Sequence, residues 1–288
     1  MVTSQSFTSQ EYEEFRRFLR DSCGITLGEN KQYLITSRLG RLMHEYAIHS
    51  LGDLVSRLRK QPQSDLHNRI IDAMTTNETY WFRDNYPFEI LKNHVFPDFA
   101  SRKLDRVRIW STACSSGQEP YSISMTIQEY LEQYPGKLPD KFEILATDIS
   151  SHMLGMARQG VYDDIALSRG LTPQRKQRFF SEIDSLWQVK DAIRQRVKFT
   201  ELNLLNTYDL LGKFDVIYCR NVLIYFSNEM KREILGKLAN TMRPGGYLIM
   251  GVSESPINYS DAFEIIRHEE GLVYRRRGVA DGGRQDAG

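Results

Sequence analysis

The chain has 288 residues, 41% hydrophobic and 26% charged, with a formal net charge of +1. That is the make-up of an ordinary globular protein of one large or two modest domains. It excludes a surface built as a whole to coat nucleic acid or an anionic membrane. Cys23, Cys114 and Cys219 are odd in number, far apart and without histidines at metal spacing, which argues against a disulfide framework or a metal site. The amino terminus has neither a basic start nor an apolar run, and no stretch is long enough to span a bilayer. A cytoplasmic protein, not an integral membrane one, is expected.

Thr8 and Glu11 form a capping box ahead of the stripe Tyr12, Phe15, Phe18, Leu19, which predicts a first helix stopping near Gly24. Ile35, Leu39, Leu42, Met43 and Tyr46 mark a second, and Leu54, Val55 and Leu58, behind Ser50 and Asp53, a third. Leu66, Ile70, Ile71 and Met74, from near Ser64, mark a fourth. No strand pattern interrupts them, so residues 1–76 read as an all-helical domain ending near TTNETYWFR.

From residue 106 the period changes. VRIWST reads as a strand, PYSISMTIQEYLEQY as a helix, FEILAT as a strand ending at Asp148, SSHMLGMARQ as a helix capped by Ser150 or Ser151, and FDVIYC as a buried strand. The helix NEMKREILGKLANTM, the turn RPGGY and the strand YLIMG follow, and then FEIIRH and LVYRRR, close enough for an antiparallel hairpin. Alternating βα units predict an α/β fold with a doubly wound, mostly parallel sheet over residues 77–277. Residues 161 to about 200 break the alternation with a helix opened by Thr172 and Pro173, a strand near Trp187, and VKFTE, which reads as a small inserted β-subdomain. The Gly- and Asp-rich tail 278–288 has too little apolar content to pack.

Ligands of doubly wound sheets bind beyond the carboxyl ends of the strands. After the first strand, TACSSGQEP holds a single glycine, Gly117, with Glu119 near the helix start, an arrangement that opposes a pyrophosphate and favours a positively charged cofactor. Asp148 can accept from both hydroxyls of a ribose, or serve as a helix amino-terminal charge. Asn203 with Leu204 can meet an adenine, or make a turn. Arg220 and Asn221 in CRNVLIYF stand at a strand end, where burying them idly would cost about 1–3 kcal/mol per unsatisfied group. Asn77, Thr79 and Arg83 are polar residues among Tyr80, Trp81 and Phe82, readable as an anchored linker or as a lid.

TTNETYWFR, IWSTACSSGQEPYSI, ATDIS, NLL, and CRNVLIYF followed by RPGGYLIMGVSES, in this order, resemble the CheR family of chemoreceptor glutamate methyltransferases. The resemblance covers nearly the whole chain, with Trp81 where the family pattern has Phe. It implies S-adenosylmethionine as cofactor, held by Asn77, Thr79, Arg83, Glu119, Asp148, Asn203, Leu204, Arg220 and Asn221, with Tyr225 beside the transferred methyl. Tyr225 also reads as an amphipathic residue closing the core. A carboxylate substrate is ionised at neutral pH and needs no general base, in keeping with the absence of a catalytic His or Cys motif.

The implied partner is the helical cytoplasmic region of chemoreceptors, which would draw the protein to membrane arrays. Lys31, Arg38 and Arg41, in a narrow arc on the second helix, are the expected cationic contact. Family members that capture a receptor-tail pentapeptide carry a glycine-rich loop in the inserted subdomain. Residues 178–191 here read RFFSEIDSLWQVKD, without glycine, so pentapeptide binding is not expected. Nucleic-acid methylation is usually associated with an N/D-P-P-Y/F segment where this chain has CRNVLIYF. A methyltransferase for another substrate and a non-catalytic receptor-binding module stay open from sequence.

Overall fold

A computed structural model describes residues 7–62 and 64–278. The tail beyond Gly278, expected not to pack, lies outside them. Helix α1 (Ser9–Cys23) starts where Thr8 and Glu11 bond reciprocally, Glu11 N donating to Thr8 Oγ1 at 3.2 Å and Thr8 N to Glu11 Oε2 at 3.0 Å. Gly24 ends it at φ 78°. Helices α2 (Gln32–Glu45), α3 (Leu51–Lys60) and α4 (Asp65–Met74) follow, the last two capped by Ser50 and Ser64. Their stripes meet in one core around Phe15, Leu19, Ile35, Leu39, Leu54 and Ile70. Each such fully buried side chain contributes about 1.5–3 kcal/mol.

Residues 84–105 carried no predicted element. They hold α5 (Tyr86–Ile90), one wider π turn (Leu91–Val95) and α6 (Phe96–Arg102) in continuous helix. Pro87 and Pro97 masked the pattern, but Pro87 sits in the first turn of α5, where the missing N–H has no intrahelical partner to lose, and Pro97 directly follows the π turn, in which Phe96 N donates to the carbonyl of Leu91. Phe88, Phe96 and Phe99 bury this layer in the main core beneath the sheet.

The sheet domain then runs β1 (Val107–Ser111), α7 (Gln118–Gln133), β2 (Phe142–Asp148) and α8 (Ser151–Gln159). The insertion follows as β3 (Val161–Tyr162), α9 (Asp164–Ser168), α10 (Pro173–Phe179), β4 (Phe180–Ile183), β5 (Leu186–Val189) and α11 (Asp191–Arg194). Last come β6 (Val197–Glu201), β7 (Phe214–Cys219), α12 (Asn228–Thr241), β8 (Met242–Met250), β9 (Phe263–Arg267) and β10 (Leu272–Arg276).

The seven strands of the main sheet are ordered β6-β2-β1-β7-β8-β10-β9, with β10 antiparallel to β8 and β9 and the remaining pairs parallel. This is the doubly wound α/β sheet expected. Two local readings are corrected. VKFTE is not part of the insertion: it is β6, the edge strand pairing Val197 with Ile144 through Glu201 with Asp148. RPGG is not a turn before a strand but lies inside β8, where the register with β7 shifts and a Cβ on Gly246 would come within 3.0 Å of the carbonyls of Arg243 and Asp215.

The insertion is an antiparallel sheet ordered β3-β5-β4. Trp81 pins it, crossing edge-on to Tyr162 at 4.9 Å and Phe180 at 5.2 Å. Trp81 and Phe82 are therefore buried anchors, so for these two the anchored-linker reading holds and the lid reading does not.

Candidate active site

Strand order reverses between β1 and β7, and the carboxyl ends of β1, β2, β6 and β7 open on one cleft, whose empty space of about 980 Å³ includes the solvent at its mouth. Asn77, Thr79, Arg83, Glu119, Asp148, Asn203, Leu204, Arg220, Asn221 and Tyr225 all line it. The helical domain supplies the facing wall with Cys23, Ile25 and Met74, which the sequence did not point to.

Asp148 ends β2 with only 7% of its surface exposed. Its Oδ2 accepts from Ser115 N at 2.7 Å and its Oδ1 from Ser150 N at 2.9 Å, so it braces the β1 loop and the start of α8 together. Burial raises its pKa above the ordinary carboxylate value, against the opposing pull of those two N–H groups. Ser115, at φ 48°, also donates its hydroxyl to the carbonyl of Asn77 at 2.8 Å, joining the linker to the same loop.

Arg220 is a hub. Its guanidinium donates to Glu119 Oε2 at 2.8 Å, to Asp84 Oδ2 at 2.7 Å and to the carbonyl of Arg83 at 2.8 Å, with the side chain 1% exposed. Glu119 Oε1 accepts from Ser111 Oγ at 2.8 Å. Glu119 therefore does not stand alone as a counter-charge: Arg220 balances it. Asp84 was missed because nothing in its local sequence marks it, yet its φ of 66° and those of Phe82 (49°) and Asn85 (53°) mark a strained turn built around Arg220.

Asn203 lines the cleft, but its amide is committed locally. Nδ2 donates to the carbonyl of Ser22 at 2.7 Å and Oδ1 accepts from Leu205 N at 3.0 Å, which is the turn reading plus a tie to α1. Lys237 Nζ steadies the same loop by donating to the carbonyls of Leu204, Leu205 and Asn206 at 3.2, 2.8 and 3.1 Å. Leu204 remains as an apolar wall, 6% exposed.

Of the cationic arc, Lys31, just before α2, and Arg41 are exposed and Arg38 is half-buried. Arg38 is corrected as an outward contact: its guanidinium donates to the carbonyls of Met74 at 2.8 Å and Thr75 at 3.3 Å and to Thr76 Oγ1 at 3.3 Å. It closes the end of α4 and fixes the linker that enters the cleft.

Two atoms on the cleft wall, Thr112 Oγ1 and Arg220 Nε, are buried without a partner among the described residues. Each such group costs about 1–3 kcal/mol, so the cleft is shaped for a ligand with polar atoms to offer. Ile25, Ile149 and Leu204 give it an apolar patch and Asp148 a buried carboxylate, a combination that suits an adenosine-bearing cofactor.

The family model described as "CheR methyltransferase, SAM binding domain" matches residues 77–272, and "CheR methyltransferase, all-alpha domain" matches residues 10–75. The chain belongs to the CheR methyltransferase family. The chemotaxis protein methyltransferase Cher2 of Pseudomonas putida is 50% identical over 93% of this chain and 98% of its own. Chemotaxis protein methyltransferase 1 of Pseudomonas aeruginosa is 50% identical over 94% and 100%. The Escherichia coli chemotaxis protein methyltransferase is 32% identical over 88% and 87%. For this CheR enzyme S-adenosylmethionine is the cofactor and methyl transfer the reaction.

The CheR cleft also depends on a residue to which the sequence assigned no role. Glu254, just past β8 and 9% exposed, accepts hydrogen bonds from the backbone of the segment that carries Asn221 and Tyr225. The rule that led to Asp148 and Arg220, looking beyond strand ends, would have found it in VSES.

Proposed function

We propose that this CheR-family enzyme transfers a methyl group from S-adenosylmethionine to glutamate side chains of chemoreceptors, forming methyl esters. The observation that carries the proposal is the convergence of Asp148, Glu119, Arg220, Asn221 and Tyr225 on one cleft. Bound S-adenosylmethionine supplies an electrophilic methyl on a positively charged sulfur.

The chain's own residues supply position and dryness. Asp148 holds the ribose, Leu204 with Ile25 and Ile149 encloses the adenine, and the Arg220–Glu119 pair sets the electrostatics at the methionine end. Asn77, Thr79 and Arg83 close the linker side, and the Asn203 carboxamide fixes the adenine loop against α1. Tyr225 faces the incoming carboxylate. Charge is neutralised as the ester forms, so a water-poor wall lowers the barrier, and alignment supplies up to about 7–11 kcal/mol. Ile25 and Met74 in the cleft lining support reading the helical domain, assigned to residues 1–76, as a cover over the domain assigned to residues 77–277.

We further assign Lys31 and Arg41 to contact with acidic receptor helices, and propose that the inserted subdomain works without a receptor-tail pentapeptide. Incubation with methyl-labelled cofactor and receptor-rich membranes tests the main reading. The label should enter the receptor and be released by mild alkali as methanol; label that is alkali-stable, or absent from the receptor, refutes glutamate esterification.

A further inference from the structure

Asn221 sits at φ 55°, a left-handed backbone conformation that Asn tolerates better than most residues but at a cost. From it the chain enters a single tight turn, Leu223–Tyr225, that aims Tyr225 at the cleft. The N–H groups that open such a turn have no partner within it. Here they converge on one carboxylate: Glu254 Oε1 accepts from Val222 N at 3.0 Å, Leu223 N at 2.8 Å and Ile224 N at 3.3 Å, and Oε2 from Asn221 N. Gly251 N adds a fifth donor to Oε2 at 3.0 Å.

We infer that Glu254 is a positioning residue for methyl transfer, holding the Asn221–Tyr225 segment in its strained, cleft-facing form. Its carboxylate is the one group that gathers these five amides, and hydrogen bonds from N–H groups to a charged acceptor are about twice as strong as neutral ones. Gly251 belongs to the same device. A Cβ there would lie 2.6 Å from Glu254 Oε2 and 3.0 Å from Asn221 N, wedging apart the contact that fixes Asn221. Thr26 N donates to the carbonyl of Tyr225 at 3.0 Å, so the turn is held at its other end by the helical domain.

The inference rests on the methyl-transfer reading of the cleft, and its test separates the two. Glu254→Gln keeps the size but turns an NH₂ group toward one set of N–H donors. Gly251→Ala strikes the same contact from the other side and serves if the first variant does not fold. Expected for either is hydrogen exchange at the amides of residues 221–224 faster by at least about tenfold, with exchange in the β1 and β7 amides unchanged. On receptor membranes kcat should fall roughly 100-fold, the scale of an ångström-sized misplacement. KM for receptor should stay within about threefold, and affinity for S-adenosylhomocysteine, which Asn221 also serves, should fall far less than kcat. Unchanged exchange at 221–224, or an activity loss carried wholly by cofactor affinity, overturns the role of Glu254. Wild-type protein that transfers no methyl to receptor refutes the functional reading instead, while the exchange measurement still decides whether Glu254 holds the turn.

Discussion

The C-cap Gly24 of α1 is pressed against Phe226, one residue past Tyr225: a Cβ at Gly24 would lie 2.1 Å from the Phe226 ring. With φ at 78°, Gly24→Ala meets two penalties, the left-handed backbone and a displaced aromatic wall of the cleft. We expect a stability loss of about 1–3 kcal/mol together with weaker S-adenosylhomocysteine binding. Gly28→Ala is the control, since nothing but Lys31 at 3.6 Å lies near its added methyl. Thermal melting and calorimetry on both variants check this; equal affinities would show that the helical domain does not shape the cleft.

Asp148→Asn should lower affinity for S-adenosylmethionine about 10- to 100-fold, the value of charge-assisted hydrogen bonds of roughly 1.5–3 kcal/mol. Because burial raises the Asp148 pKa, its charge costs the folded state stability above the ordinary carboxylate range, and acid relieves that cost. The variant is therefore expected to stay folded. Cofactor affinity of the wild type should decline on acidification from above the ordinary carboxylate range, and the Asn variant should lose that pH dependence. A flat wild-type profile would remove Asp148 from the binding assignment.

The elements with strong local signals were legible. Thr8 with Glu11, Ser50 and Ser64 announced helix starts through side-chain bonds made within a turn, and β7 was legible as a continuous apolar run. What escaped depends on partners distant in sequence. Pro87 and Pro97 hid a continuous helix, and β6 became a sheet strand only through its register with β2. At the site, strand-end logic led to Asp148 and Arg220, but the pairing of Arg220 with Asp84 and of Asn203 with Ser22 is tertiary. The outward role expected of Arg38 failed for the same reason: the carbonyls it meets, Met74 and Thr75, lie on another helix's end.

That difference reshapes the test of receptor docking. Lys31→Glu with Arg41→Glu should abolish receptor methylation at low salt while leaving cofactor affinity unchanged, since both side chains are exposed and lie outside the cleft. Arg38→Ala should instead lower cofactor affinity, by freeing residues 74–76. Wild-type methylation rates in the Lys31 and Arg41 double variant would refute the docking assignment.

The rings of His94 and His268 stack at 3.6 Å, and Glu270 lies 3.0 Å from His94 Nε2. Burial first, and then the neighbouring His94, hold His268 below the usual histidine pKa. The unfolded chain takes up this proton near pH ~6.5 and the folded one only at lower pH, so stability is full above ~6.5 and is lost as pH falls from there. His268→Gln should shrink the drop in melting temperature between about pH 7.5 and about 5.5. An identical drop in both proteins would show that another group governs acid sensitivity.

The last prediction concerns the inserted subdomain. β4 is an edge strand of only four residues, Phe180–Ile183, and a peptide could extend the sheet there only by matching that short ladder. The β4–β5 turn is closed by Asp184 at φ 48° and Ser185 at φ 65°, a tight two-residue hairpin that leaves no glycine loop for a backbone to approach. Glu182 and Asp184 are exposed beside it, and a peptide ending in its own carboxylate would meet two like charges; Ile183 and Leu186, 46% and 41% exposed, fill the tip. Titration of a receptor-tail pentapeptide should therefore give no saturable binding, and receptors trimmed of their tails should be methylated at the full rate. Micromolar saturation, or methylation that fails on the trimmed receptor, would show instead that β4 is a working docking edge.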